Sequence, residues 1–389
     1  MQDPEFKVLA PRGSGPGPMT RRQAIGVGGV GLASLLLAAC GGKSGASAGG
    51  AAASTTKSIG TKVEAGPLLM ANWADYVDPA HYKAYQARFG PKVQVEGYGS
   101  NDELIAKLSA GGSAYDVVVP SGRYIPEVVQ KGLARPLDHS LLPNLKNLEP
   151  KFTQNAWDPG NKHSITKNFG VTSFYYRKDV VPQPPDTMLG WWQLLPKLKG
   201  KTINIIEGSS SAMSLALLAL DLDPSSTKDA DYKAAMKLMT AAKPAITNIN
   251  STYIDRLGRG DIDVGIGWNG DVARAAETAK KKGIEIGFFV PQDRGFYWTD
   301  EWLIPAAGKN PVAAHAWINF MLEPKIAGTE QDYMGYVVPV NGALQFVPPA
   351  IAKNPMIAIP DDVLAKYSSP INTPELTAIQ SKYYSLFRS

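Results

Sequence analysis

Short apolar runs alternate with longer amphipathic segments in the first third of the chain. The segments at 79–89 and 103–109 have the length of helices, and Ser100-Asn101-Asp102-Glu103 has capping-box spacing before the second one. Three apolar runs have the length of buried strands, namely 68–73, 93–98 and 116–119. Strands that alternate with helices predict parallel βαβ units and therefore an α/β fold.

The same alternation returns after residue 200. The predicted strands there are 202–206, 264–268 and 284–290. The predicted helices are 212–222, 231–242, 272–282, 311–322 and 374–387. Pro311 suits the first turn of its helix, because the missing N–H of proline costs little at that position. With 389 residues, the chain is long enough for about two domains or lobes.

The N-terminal region has the pattern of an export signal. Arg21 and Arg22 precede an apolar run at 24–39, which is about 16 residues long and therefore short for a membrane span of about 20. The run ends in Leu37-Ala38-Ala39-Cys40-Gly41, and a cysteine at this place resembles the lipobox of bacterial lipoproteins, in which it is lipidated. We predict a signal peptide with a lipobox at 1–40. A signal-anchor helix with an incidental Cys40 is the alternative.

The residues around the predicted signal peptide indicate the export route, the start of the chain and the linker that follows. The paired arginines resemble a twin-arginine export signal, and general secretion is the other route. Residues 1–18 fit neither a signal nor a fold, so Met19 is a plausible start. Residues 41–62 are rich in Gly, Ala, Ser and Thr, which is typical of a flexible linker. This linker is expected to tether a folded body to the extracytoplasmic face of the cell membrane.

Composition narrows the function classes. Hydrophobic residues make up 44% and charged residues 19%, so the chain can bury a large core. The formal net charge of +5 is too small for a nucleic-acid binder, and no basic run is interleaved with aromatics. Cys40 is the only cysteine, the four histidines lack ligand spacing, and no GxSxG motif occurs. We therefore predict no catalytic residues, no metal site and no cofactor.

Tryptophan and tyrosine recur beside polar residues at the predicted ends of strands. Four such segments are Trp73-Ala74-Asp75-Tyr76, Ser121-Gly122-Arg123-Tyr124, Trp268-Asn269-Gly270-Asp271 and Tyr297-Trp298-Thr299-Asp300. In open α/β sheets, ligands bind beyond the carboxyl ends of strands. Aromatic faces attract cations by about 0.5–2 kcal/mol, and a carboxylate adds a charge-assisted hydrogen bond. The segments predict a site for an organic amine, with packing in the core as the alternative for each aromatic.

Five segments, in order along the chain, resemble the spermidine/putrescine-binding proteins of bacterial ABC importers. They are Asn72-Trp73-Ala74-Asp75-Tyr76-Val77, Tyr115-Asp116-Val117-Val118-Val119-Pro120-Ser121, Gly267-Trp268-Asn269-Gly270, Phe296-Tyr297-Trp298-Thr299-Asp300 and Gly335-Tyr336-Val337-Val338-Pro339. The resemblance implies a two-lobed, type II periplasmic-binding-protein-like fold, with the ligand between lobes joined by crossing strands. It places lobe 1 at 63–175 plus 299–344, and lobe 2 at 176–298 plus 345–389. The crossings are expected near 174–177, near 297–299 and after residue 336.

The resemblance also implies roles for individual residues. Trp73 and Tyr76 would line the wall of the first lobe, and Ser121 would make a hydrogen bond to the ligand. Asp300 would pair with an ammonium group, and Tyr336 would close the edge of the pocket. The full predicted ligand site is Trp73, Asp75, Tyr76, Ser121, Arg123, Glu207, Ser211, Trp268, Trp298, Asp300 and Tyr336. The implied partners are an amine solute, an ABC permease and the lipid anchor at Cys40, and the protein is expected to be a monomer.

Three departures from the family pattern leave the ligand open. Glu207 is the one carboxylate that remains in a stretch, 207–211, where the family often has an acidic cluster. Arg123 stands where an aromatic is common, and Lys167 lies in a segment that usually approaches the cleft. The leading prediction is capture of a polyamine, such as putrescine or spermidine, for an ABC importer. The added cations and the lost acids would suit a zwitterionic amine, such as an amino acid derivative, which is the alternative, unless Arg123 and Lys167 point to solvent. A cell-surface enzyme or a sensor on the same fold is the alternative from another class.

Overall fold

The computed structural model describes residues 60–111 and 115–389, and the strands of this part form one nine-stranded mixed sheet. The predicted signal peptide, Cys40 and nearly all of the predicted linker lie outside the described residues. None of the described helices has the length and apolar character needed to cross a membrane.

The first lobe begins with strands that alternate with helices. Its elements are β1 (Leu68–Asn72), α1 (Pro79–Phe89), β2 (Val93–Gly97), α2 (Asn101–Ser109), β3 (Val117–Val118) and α3 (Ile125–Gln130). β1 pairs in parallel with both β2 and β3, as the alternation predicted. Side chains cap both long helices: Asp78 accepts from the N–H of Ala80 at 2.8 Å, and Ser100 accepts from that of Glu103 at 3.1 Å.

A long strand, β4 at Ser164–Arg177, carries the chain out of the first lobe. The second lobe contains α4 (Met188–Leu194), β5 (Ile203–Ile205), α5 (Ser211–Ala219), α6 (Asp229–Ala242), β6 (Asn248–Ile249), α7 (Ile254–Arg259), β7 (Val264–Trp268), α8 (Asn269–Lys280) and β8 (Ile286–Phe288). β5 pairs in parallel with β6 and β7. The second lobe therefore repeats the parallel arrangement of the first.

A second crossing strand, β9 at Phe296–Leu303, returns the chain to the first lobe. The remaining helices are α9 (Pro311–Met321), α10 (Pro324–Met334), α11 (Pro349–Ala352), α12 (Asp361–Leu364) and α13 (Pro374–Arg388). α9 contacts α1 of the first lobe, whereas α13 contacts α6 of the second. The chain therefore crosses a third time between these two helices, as expected.

The order of strands shows how the lobes are joined. It runs β2-β1-β3-β9-β4-β7-β5-β6, and β8 also pairs with β4. β4 and β9 form an antiparallel pair in the middle of the sheet, with the parallel strands of one lobe on each side. This arrangement confirms the predicted α/β fold with two lobes and crossing strands.

Each lobe has its own hydrophobic core. Trp317 is fully buried in the core of the first lobe, and Trp191 is fully buried in the core of the second. Trp268 and Trp298 pack against both cores, so these two side chains lie at the junction of the lobes. The exact residues at which one lobe ends and the other begins stay a prediction.

Candidate functional site

Asp300 is the centre of a hydrogen-bonded cluster at the junction of the lobes. It lies in β9 opposite Asn168 of β4 and is 5% exposed. Tyr76 donates its hydroxyl to one carboxylate oxygen at 2.6 Å, and Ser121 donates to the other at 2.8 Å. The Asn168 amide donates to the Tyr76 oxygen at 2.6 Å. Three residues predicted for the site, Tyr76, Ser121 and Asp300, are thus in direct contact.

The surroundings of Asp300 set its charge. Burial raises its pKa above the usual value, while hydrogen bonds from Tyr76 and Ser121 and the charge of Lys167 act in the opposite direction. Burial and the neighbouring carboxylate raise the pKa of Tyr76 well above its ordinary value, so Tyr76 stays a donor. Within the described part of the chain, the ion pairs leave Asp300 without a cationic partner.

A second carboxylate, that of Asp271, faces the same junction from the other lobe. Asp271 is in the first turn of α8, and Tyr336 of the first lobe donates its hydroxyl to it at 2.6 Å. Burial raises the pKa of Asp271 to about 6, and the Tyr336 hydrogen bond and Arg274 limit the rise. The sequence prediction took Trp268 from this segment and missed Asp271. The missed indication was a carboxylate just beyond the carboxyl end of a parallel strand.

Aromatic rings connect the two carboxylates. The centroids of Tyr76 and Tyr336 are 6.0 Å apart, and those of Trp298 and Tyr336 are 5.1 Å apart. Gly270 permits this packing, since a Cβ there would lie 2.6 Å from the Tyr336 ring. Trp268 lies in the strand that leads to Asp271 and packs between the lobes. Tyr76, Tyr336 and Trp298 therefore surround the two acids with aromatic rings, and their role as a wall for the ligand stays a prediction.

Other predicted residues make different contacts. The Trp73 indole donates to the Val119 carbonyl at 3.0 Å and packs on Tyr98, with centroids 4.5 Å apart. Asp75 is exposed and has a positive φ of 52°. Glu207 is also exposed, and Ser211 is the first residue of α5. Among the contacts of the described residues, none joins these four residues to Asp300 or Asp271, so their roles as ligand contacts stay predictions.

Lys167 does not add an unpaired cation to the site. It is 1% exposed and lies at a bulge of β4, where its ammonium binds Glu330 at 3.1 Å. Glu330 also contacts His81 at 3.0 Å. The Lys167 nitrogen lies 4.3 Å from the centroid of the Tyr76 ring. The buried ion pair therefore supports Tyr76 from inside the first lobe.

Arg123 is buried between the first lobe and α13. It is 7% exposed, and its Nη2 donates to Asn372 at 3.1 Å and to Gln380 at 3.4 Å. Among the described residues, its Nε and Nη1 have no hydrogen-bond partner. The predicted cation is therefore present at the interface of the lobes and does not point to solvent.

A cavity of about 410 Å³, open to solvent, is lined by Ala156, Ser225 and residues of 368–376, and neither Asp300 nor Asp271 lines it. Buried carboxylates without cationic partners are the stronger mark of a binding site, because an isolated buried charge is unstable. Across residues 60–111 and 115–389, no three His, Cys, Asp or Glu side chains are grouped as metal ligands.

Comparison with known proteins places this fold and site in context. Residues 80–359 match the family described as bacterial extracellular solute-binding protein. The putrescine-binding periplasmic protein PotF of Escherichia coli K12 is 31% identical over 352 residues, which cover 85% of this chain and 94% of that protein. A spermidine/putrescine-binding periplasmic protein of the same strain is 30% identical over 74% of this chain and 81% of its own length.

A solved structure agrees with these relatives. The putative spermidine/putrescine ABC transporter protein of Listeria monocytogenes superposes with a TM-score of 0.76 at 29% identity. The match covers 84% of this chain and 99% of that one. The chain therefore belongs to the family of bacterial extracellular solute-binding proteins.

Proposed function

We propose that this protein captures a polyamine, such as putrescine or spermidine, outside the cell and delivers it to an ABC importer. The observation that carries the proposal is the pair of carboxylates, Asp300 and Asp271, which are connected across the junction by the neighbouring rings of Tyr76 and Tyr336. Neither forms an ion pair within the described residues, where Lys167 and Arg274 act on them without direct contact, and both accept hydrogen bonds from tyrosine hydroxyls. A solute with two ammonium groups supplies the two charges that the site lacks.

The energetics favour such a ligand. Burying one unpaired carboxylate costs several kcal/mol, and an ammonium at hydrogen-bond distance offsets this cost. The faces of Tyr76, Tyr336 and Trp298 add about 0.5–2 kcal/mol for each cation that they contact. Because the two acids belong to different lobes, a dication that binds both also holds the lobes together.

The relatives support this proposal. The Escherichia coli proteins at 31% and 30% identity are named for binding putrescine or spermidine. Their names describe binding proteins of transport systems, and we propose that this chain likewise binds its solute without converting it. An ABC permease in the membrane is then the partner of the closed form.

We also propose that the protein is a monomer anchored by a lipid at Cys40. This residue and the signal peptide lie outside the described residues, so the proposal rests on the sequence pattern alone. A lipid anchor would hold the folded body at the extracytoplasmic face of the membrane, where it meets both solute and permease.

Calorimetric titration of the purified protein with putrescine and spermidine tests the proposal. We expect saturable binding of at least one of them, and more than tenfold weaker binding in Asp300→Asn, because the amide cannot neutralise an ammonium. Asp332→Asn is the matched control, since Asp332 is an exposed carboxylate in α10 of the same lobe and is not among the predicted site residues. The proposal fails if neither amine binds. Asp300 is excluded as a ligand contact if Asp300→Asn binds the amine as tightly as the control variant.

A further inference from the structure

Arg123 carries a buried charge that its neighbours do not neutralise. The Nη2 group donates to two neutral side-chain oxygens, those of Asn372 and Gln380. Within residues 60–111 and 115–389, the Nε–H and both Nη1–H bonds have no acceptor, although a guanidinium offers five donors. A guanidinium that is 7% exposed normally has an acidic partner.

The surroundings of Arg123 lack such a partner among the described residues. Burial lowers the pKa of Arg123, and the one carboxylate that acts on it is Asp102, which forms no ion pair with it. The Tyr124 ring lies 5.5 Å from the guanidinium carbon and supplies a weak attraction. The charge is therefore under-compensated, and the N–H groups of Nε and Nη1 remain available as charged donors to a carboxylate oxygen.

The position of Arg123 connects it to the amine site. It follows Ser121 by two residues, so the two Cα atoms lie at most about 7 Å apart, and Ser121 donates to Asp300. Gln380 and Tyr384 are one turn apart on α13. Tyr384 accepts from the N–H of Gly208, just before α5 of the second lobe. The backbone of Arg123 therefore lies close to the Asp300 cluster, and its guanidinium contacts the segment that includes α13, between the lobes.

We infer that Arg123 forms an anion subsite that binds a carboxylate next to the amine site. The inference rests on the proposed capture of an amine and refines the class of that amine. Two carboxylates and one guanidinium are complementary to a solute with two ammonium groups and one carboxylate, which is a diamino carboxylic acid. The carboxylate belongs to the solute itself or to a small anion that binds with it.

A matched pair of ligands tests the inference. Ornithine is putrescine with one carboxylate added, so the two compounds differ only in the group that Arg123 would bind. We expect the wild-type protein to bind ornithine at least tenfold more tightly than putrescine in calorimetric titrations. We expect Arg123→Gln to reverse this preference, because it removes the charge that attracts a carboxylate and repels an ammonium.

Two further variants separate a ligand contact from a contact between the lobes. Arg123→Lys keeps the charge and should keep the preference for ornithine, at reduced strength. Gln380→Ala removes a neutral partner of Arg123 and should leave the order of the two ligands unchanged. Thermal unfolding of each variant shows whether it is folded. If a variant is unfolded, the comparison of ornithine with putrescine in the wild-type protein still decides the inference.

The outcomes distinguish the inference from the function on which it rests. Tighter binding of putrescine than ornithine by the wild type, with no increase on adding acetate, overturns the anion subsite and leaves amine capture intact. Putrescine binding that acetate strengthens in the wild type, but not in Arg123→Gln, assigns the subsite to a separate anion. Failure of both compounds to bind overturns the inference together with the proposed function.

Discussion

Asp300 and Asp271 show how the same side chain behaves in two environments. Asp300 accepts two hydroxyl hydrogen bonds in β9, whereas Asp271 accepts one at the start of α8. Both are shielded from water, which raises the pKa of each. Both aspartates therefore change their charge at a pH closer to neutrality than is usual for this side chain. Amine binding is expected to change over the same pH range.

The affinity for an amine should fall on mild acidification. The pKa of Asp271 in the free protein is about 6, and only the ionised form attracts an ammonium, so affinity weakens as the pH falls from 7.5 to 5. The affinity can fall by at most about tenfold for each pH unit below the pKa of Asp271. Asp271→Asn should bind more weakly at pH 7.5 and show less change with pH in the same titrations. A variant with the full wild-type pH dependence would exclude Asp271 as the titrating group.

Glu301 is a further buried acid, next to Asp300 but on the other face of the strand. It accepts from Thr299 at 2.7 Å and from Thr166 at 3.1 Å, and burial raises its pKa to about 8. The folded protein therefore holds a proton that the unfolded chain loses near pH 4.5. Stability attributable to this group is present below that pH and declines as the pH rises towards 8.

Glu301→Gln should accordingly stabilise the protein at high pH. The glutamine keeps a hydrogen-bonding side chain and removes a group whose ionisation opposes folding. We expect the gain in unfolding free energy to grow by about 1.4 kcal/mol for each pH unit between 4.5 and 8, and to vanish below 4.5. Denaturant unfolding at pH 4.5, 6 and 8 measures it, and a gain that is independent of pH would contradict this account.

At the level of elements, the junction depends on how closely α8 and the segment after α10 approach each other. The Tyr336 hydroxyl donates to Asp271 across the junction, and the Tyr336 ring lies directly over Gly270. α10 is in turn held to β4 by the buried pair of Lys167 and Glu330. The position of Tyr336 is therefore set by α8, α10 and β4, which are distant from one another in sequence.

Gly270→Ala should disturb this approach. The added Cβ would lie 2.6 Å from the Tyr336 ring, so the ring must move and its hydrogen bond to Asp271 lengthens. We expect amine affinity to fall by at least tenfold in calorimetric titrations. Gly97→Ala is the control, because a Cβ there meets nothing within 4 Å. Equal affinities of the two variants would show that the close packing is not needed for binding.

On the scale of the whole molecule, the two lobes share one sheet and meet around charged groups. Tyr336 and Asp271 connect the lobes on one side, and Arg123 with Asn372 connects them on another. Rigid lobes joined by crossing strands can open and close about those strands. A solute that satisfies charges on both sides favours the closed arrangement, which a permease can distinguish from the open one.

The anchoring of the whole molecule is open to a direct test. Cys40→Ser should abolish attachment of lipid, because only the thiol of the predicted lipobox can be acylated. We expect the wild-type protein in the membrane fraction and the variant in the soluble fraction of its host, with radiolabelled palmitate incorporated only into the wild type. Incorporation of label into the variant would contradict the predicted lipobox.

Much of the local structure could be predicted because its causes are local. The predicted bounds of α1 and of β7 agree with the structure, since capping residues and short apolar runs mark them. Of β4, only the end was predicted, as a crossing near 174–177. Its buried polar positions Thr166, Lys167 and Asn168 obscure the pattern of a strand, and their partners lie elsewhere in the chain. α4 and α10 were not predicted.

The sequence alone determined the alternation of strands and helices and the pattern of an export signal. It also predicted one site for Asp300, Tyr76 and Ser121, which the structure brings into contact. Only the tertiary structure decided which charged side chains are paired and which are buried without a partner. It paired Lys167 with Glu330, placed Asp271 against Tyr336, and left Arg123 buried without an acidic partner in the described part of the chain. The reason is that periodicity and capping depend on neighbours within one turn or strand, whereas the balance of buried charges depends on groups that only the fold brings together.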